Sequence, residues 1–158
     1  AVWGGETLNG FYRGVLGIAS RVVPWLRLSS RGIPVRASDN IEELRARGRD
    51  PLFLKEPLVG MVAGLVDIMD EARKAAPALE GRVLVLVGDK DEIVPPAAQT
   101  SFTAAIGTPS CALLRYPDGW HLLLQDLQRE KVFADLLRWV DAPDAAPPGA
   151  TPCRTAGS

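Results

Sequence analysis

Histidine occurs once in the 158 residues, as His121, and cysteine twice, at Cys111 and Cys153. So few ligands exclude the usual zinc and transition-metal centres, which need three or four such side chains at short spacings. One cysteine lies in an apolar run and the other in a Pro/Ala-rich tail, and both read as reduced thiols. Long apolar runs are lacking too. No stretch approaches the roughly eighteen apolar residues of a spanning helix, so any membrane contact would be peripheral. Residues 1–30 hold no basic start followed by an apolar core and a small-residue cleavage site. An excess of one charge is also missing: the formal net charge is -1, which gives no reason to expect a nucleic-acid partner. What remains is a chain that is 47% apolar, a composition typical of soluble globular proteins.

The chain opens at Ala1 in AVWGGETL, with neither a helix cap nor a strand of its own, as expected for a piece of a longer chain. Over residues 7–23 the apolar side chains Leu8, Phe11, Tyr12, Val15, Ala19 and Val22 recur every three or four positions. That spacing predicts an amphipathic helix stopped by Pro24. A second helix is signalled by SDNIEELRARG, with Asp39 as cap, Glu42 three residues on and Gly48 as a left-handed exit. A third is expected over 57–76, with Leu58, Val62, Leu65 and Met69 on one face and Met61 and Met69 as core filler. Gly60 and Gly64 would admit another backbone to that helix.

The period then changes. VLVLV at 83–87 is apolar without alternation, as in a parallel strand covered on both faces. A polar loop, GDKDEIVPP, leads into a helix at about 96–106, and CALLRY at 111–116 reads as the next strand, with Arg115 marking an exposed or edge position. LQREKVFADLLRWVD carries Phe133, Leu136, Leu137 and Val140 at helical spacing and is the closing helix. The stretch from Ala142 onward, rich in Pro, Ala and Gly, has little to bury and is expected to be disordered. Strand, helix, strand, helix implies an α/β class with a parallel sheet. Two strands alone do not make a sheet that shields both faces, so the remainder is expected from residues outside this chain or from a partner.

In open parallel sheets, functional groups gather beyond the carboxyl ends of the strands. The first such loop here carries Asp89, Asp91 and Glu92, and the second, YPDGWHLLL, carries His121. Adjacent strands lie about 4.8 Å apart, so an acid from one loop can meet an imidazole from the next. A carboxylate that fixes the imidazole tautomer makes the other ring nitrogen a general base. Spacing alone does not choose between Asp89 and Asp91. Asp118, in Pro117-Asp118-Gly119, reads as turn chemistry, Trp120 as packing beside the site, and Cys111 as a buried strand residue rather than a nucleophile.

The run VLVLVGDKDEIVPP, followed by YPDGWHLLLQD, resembles the C-terminal third of an α/β-hydrolase of the monoacylglycerol lipase and lysophospholipase branch. The resemblance extends over residues 1 to about 140. It implies an α/β fold of which this chain is the C-terminal part, with the last parallel strands and helices preceded by a mainly helical cap. On that reading 1–78 is a core strand end plus cap, 79–141 the C-terminal core and 142–158 a tail. The G-x-x-D-x-x-V-P pattern puts the catalytic acid on Asp91, and the loop after the last strand puts the base on His121.

The same resemblance implies a lipid-like carboxylic ester substrate, no cofactor and no metal. As a lesser reading, the cap helix with Trp3, Phe11, Tyr12 and nearby Trp25 would touch membrane or lipid aggregates. Arg21, Arg27, Arg31 and Arg36 would form a solvated basic face or meet anionic headgroups. The chain departs from the family in having no G-x-S-x-G nucleophile motif; GMVAG at 60–64 has valine where serine is required. The order Ser, Asp, His places the serine upstream of Ala1, and the oxyanion donors with it, so this chain alone is expected to be catalytically silent. A related hydrolase with an aspartate nucleophile and a silent remnant are the competing readings.

Overall fold

The computed structural model describes residues 10–29, 35–142 and 145–153. Three helices come first: α1 (Gly10–Val22), α2 (Ile41–Arg49) and α3 (Val59–Ala75), the last running into a 3-10 turn at Ala76–Ala78. Then follow β1 (Val83–Gly88), α4 (Pro96–Ala105), β2 (Cys111–Tyr116), α5 (Arg129–Asp141) and β3 (Thr151–Pro152). Trp3, Leu8 and Arg31, assigned roles above, lie outside the described residues.

Strands β1 and β2 pair in parallel, from Val83 opposite Cys111 to Gly88 opposite Tyr116. Their apolar side chains alternate between two layers. Leu84 and Leu86 pack toward Leu114, Tyr116, Leu123 and Val132. Val83 and Val85 pack on the opposite face with Ala76, Ile106 and Cys111. A continuous apolar run is what a strand with two covered faces requires. Pro96 opens α4 at a first-turn position, where its missing N–H costs no hydrogen bond. Arg115 is exposed, ion-paired to Asp89.

The helical part packs more loosely than its periodicity suggests. Helix α1 buries none of its residues; Phe11 is 71% exposed and Val22 63%. It is held to α3 by its other side, where Arg13 reaches Asp70 at 2.7 Å. In α3 the buried residues are Val59 and Val66, whereas Leu65 and Met61 face outward, so Met61 is not core filler. Gly60 does admit a backbone: its N–H donates to the Pro24 carbonyl at 3.0 Å, and a Cβ there would lie 3.3 Å from Pro24 Cβ. Gly64 has nothing within 4 Å.

Further expectations need correction. Asn40, not Asp39, caps α2, accepting from Glu43 N–H, because Asp39 turns its carboxylate to the Leu127 N–H at 2.9 Å. Gly48 lies inside α2, which runs on to Arg49. In α5 the buried residues are Val132 and Asp135, while Phe133, Leu137 and Val140 are exposed.

The largest difference concerns the tail and the cysteines. Cys111 and Cys153 form a disulfide, with Cα atoms 5.4 Å apart, and so are not free thiols. Residues 145–153 are described, and β3 pairs antiparallel with Ala112 and Leu113 of β2. The Arg82 guanidinium stacks on Trp139 and donates to the Trp139 and Ala142 carbonyls at 3.1 and 3.0 Å. Composition counts apolar area and misses such polar and covalent ties.

Candidate functional site

The carboxyl ends of β1 and β2 continue into two loops that are stitched together. Asp89 N–H donates to Tyr116 O at 3.0 Å and Lys90 N–H to Gly119 O at 2.9 Å. The close approach depends on two glycines. A Cβ on Gly88 would sit 2.5 Å from Trp120 O, and one on Gly119 would sit 3.0 Å from Gly88 Cα. Any side chain at either position would push the loops apart.

The acids of the two loops turn to different partners. Asp89 pairs with Arg115, Glu92 accepts the Arg36 N–H at 2.7 Å, and Asp118 of the second loop pairs with Lys90. Asp91 alone turns inward. Its Oδ1 accepts the N–H groups of Ile93 and Val94 at 2.8 and 2.9 Å. Its Oδ2 lies 3.0 Å from His121 Nδ1 and accepts from Gln99 Nε2 at 3.3 Å. The backbone bonds fix the carboxylate rotamer from below while the amide of Gln99 steadies it from α4.

The Asp91 side chain is 8% exposed and that of His121 24%, so the contact is largely withdrawn from water while the imidazole keeps an open edge. A carboxylate can only accept. In the neutral imidazole Nδ1 therefore carries the proton and Nε2 is left with a lone pair, the state of a general base. His121 and Asp91 line one cavity of about 320 Å³ with Leu86, Val94, Phe102 and Trp120. The walls are mostly apolar, and among the described residues that line it none is a serine or cysteine. Among the described residues no cluster of three or more His, Cys, Asp or Glu could hold a metal ion.

Trp120 packs beside the site as expected, and the Arg36 guanidinium stacks over its ring at 4.6 Å. Arg36, which is exposed, thus belongs to the rim of the site and is further held by the Ser38 carbonyl at 3.0 Å. Sequence reasoning missed Gln99, Gly88, Gly119 and the buried Asp126, whose carboxylate accepts from Trp120 N–H and Ser38 Oγ. For Gly119 the signal was visible but was absorbed into turn chemistry.

A family model described as Serine aminopeptidase, S33 (Hydrolase_4) matches residues 1–128. A monoacylglycerol lipase of Mycolicibacterium smegmatis is 25% identical over 150 residues, covering 88% of this chain and 52% of that lipase. Among solved structures, the Paleococcus ferrophilus monoacylglycerol lipase superposes with a TM-score of 0.74 at 22% identity, over 89% of this chain and 55% of that one. A soluble variant of the monoglyceride lipase from Saccharomyces cerevisiae, in complex with a substrate analog, gives 0.67 at 15% identity, over 82% and 48%. The chain spans about half the length of the relatives it matches. Its fold is that of part of an α/β-hydrolase.

Proposed function

We propose, for a chain that belongs to the serine aminopeptidase S33 (Hydrolase_4) family, that it supplies the acid and base of a Ser–Asp–His triad cleaving lipid-like carboxylic esters. The observation that carries this reading is the 3.0 Å contact between His121 Nδ1 and Asp91 Oδ2 at the rim of two parallel strands. In the reaction Nε2 of His121 takes the proton of a serine hydroxyl as its oxygen attacks the ester carbonyl. The resulting imidazolium is stabilised by Asp91, and its proton then passes to the departing alcohol, leaving an acyl-enzyme. Water, deprotonated by the same nitrogen, releases the carboxylic acid and returns the serine.

The serine and the oxyanion donors lie on a segment that this sequence does not contain, since it has no G-x-S-x-G. The substrate class rests on the names of the relatives, monoacylglycerol lipases, and on the apolar lining of the cavity. Contact with lipid aggregates falls to α1, whose Phe11, Ile18 and Val22 are exposed and form an apolar stripe.

The test joins this chain to the preceding half of the Mycolicibacterium smegmatis lipase and follows hydrolysis of a monoacylglycerol. Activity is expected, and His121→Ala or Asp91→Asn should lower kcat by about 10⁴-fold. A folded chimera that hydrolyses no ester, or one indifferent to His121→Ala, overturns the reading. This chain by itself should not be labelled by a fluorophosphonate.

A further inference from the structure

Asp126 is a fully buried carboxylate that the proposed chemistry leaves unused. Burying a charge without a partner is costly, and among the described residues no lysine or arginine pairs with it. Neutral donors satisfy it instead. Its Oδ1 accepts from Ser38 Oγ at 2.6 Å, and its Oδ2 accepts from the Trp120 N–H at 2.7 Å. Ser38 is itself fully buried, and its Oγ accepts the Asn40 N–H at 3.1 Å.

The Trp120 amide immediately precedes the His121 amide along the backbone, so a bond to it fixes the turn from which the imidazole projects. Residues 37–40, ahead of α2, hold the same loop at further points. Leu122 N–H donates to Ala37 O at 3.0 Å, Asn40 Nδ2 to Gln125 O at 2.9 Å, and Leu127 N–H to Asp39 Oδ1 at 2.9 Å. The Arg36 guanidinium joins the Trp120 ring to the Ser38 carbonyl, but of these groups only the Asp126 carboxylate ties the Trp120 backbone to the 37–40 segment. Hydrogen bonds to a charged acceptor are roughly twice as strong as neutral ones.

We infer that Asp126 is a positioning residue: through the Trp120 amide it holds His121 in register with Asp91, and through Ser38 it links that register to the segment leading into α2. The inference rests on His121 and Asp91 being the base and acid. Its test needs no turnover, because His121 is the only histidine in the chain and its ring resonances are unambiguous.

In the folded chain, the Nδ1–H proton shared with Asp91 is expected as a slowly exchanging, far-downfield NMR resonance. Asp126→Ala should abolish it. Asp126→Asn keeps an oxygen for the Trp120 N–H and should restore it. Ser38→Ala should speed its exchange with solvent about tenfold, the factor that one lost charge-assisted hydrogen bond supports. A merely structural role would lower the melting temperature of Asp126→Ala and leave the resonance in place, and that result in a folded variant overturns the inference. If Asp126→Ala does not fold, an unchanged exchange rate in Ser38→Ala overturns it. A missing resonance in the unsubstituted chain defeats the acid–base pair and this positioning role together. A resonance present in every variant defeats the positioning role alone.

Discussion

A methyl group on Gly119 would sit 2.5 Å from Leu123 Cδ2 and 2.8 Å from Tyr116 Cβ, and Leu123 and Tyr116 belong to the core beneath the site. The turn that presents His121 is therefore packed against that core. Gly119→Ala should cost about 1–3 kcal/mol by overpacking and displace the imidazole from Asp91; urea unfolding and the His121 resonances check both effects. Below this turn lies a charged network. Asp135 accepts from the Tyr116 hydroxyl at 3.1 Å and from Lys131 at 2.8 Å. Burial is the largest single influence on Asp135 and opposes its ionisation, but the bonds from Lys131 and Tyr116 and the charges of Lys131 and Arg138 together outweigh it, so its pKa is lowered. For Tyr116, burial first and then the bond to and charge of Asp135 push the phenol pKa up. The signs follow from linkage. A lowered carboxyl contributes stability above its unfolded value of about 3.9, lost as pH falls through the folded value. A raised phenol contributes stability that is lost as pH rises beyond about 10. Urea midpoints should fall at both extremes, and Asp135→Asn should flatten the acid side; an unchanged acid limb would remove Asp135 from the account.

At the scale of elements, β3 depends on one covalent bond. It contributes two residues to the sheet, too few to hold a strand by hydrogen bonds alone. The Cys111–Cys153 bridge, spanning 42 positions, removes about 4 kcal/mol of chain entropy from the unfolded state in the loop-closure account. Cys153→Ser, or a dithiol reductant, should lower unfolding free energy by up to that amount and release 145–153 to amide exchange; equal midpoints with and without reductant would contradict the bridge. This tail was the least legible part of the sequence. Strands β1 and β2 were readable because a strand buried on both faces must be an unbroken apolar run, and VLVLV admits little else. That an acid of the first loop meets His121 was readable because both loops follow neighbouring parallel strands, whereas Asp91 rather than Asp89 came from the resemblance to the hydrolase pattern. The disulfide was not, since two cysteines at that distance carry no spacing pattern. Nor was the exposure of Phe133, Leu137 and Val140: periodicity marks an apolar face without saying what covers it.

For the molecule as a whole, that uncovered surface governs behaviour in solution. Phe11, Ile18 and Val22 of α1, Leu65 and Ile68 of α3 and Leu137 and Val140 of α5 are each more than half exposed. Strand β1 is paired on one side only among the described residues. Apolar patches of this kind, and an unpaired strand edge, favour association with other surfaces. A net charge of -1 supplies little repulsion to oppose it. The chain by itself is therefore expected to bind a hydrophobic dye and to show a light-scattering mass that climbs with concentration. Two classes of surface contribute, and substitution separates them. Ile18→Asp with Val22→Asp on α1 should reduce adsorption to phospholipid vesicles while leaving self-association largely intact, because the edge of β1 and the face of α5 are untouched. Leu137→Asp with Val140→Asp should do the reverse. If both pairs lowered vesicle binding equally, adsorption would be a general property of apolar area, and α1 would have no particular role in meeting lipid.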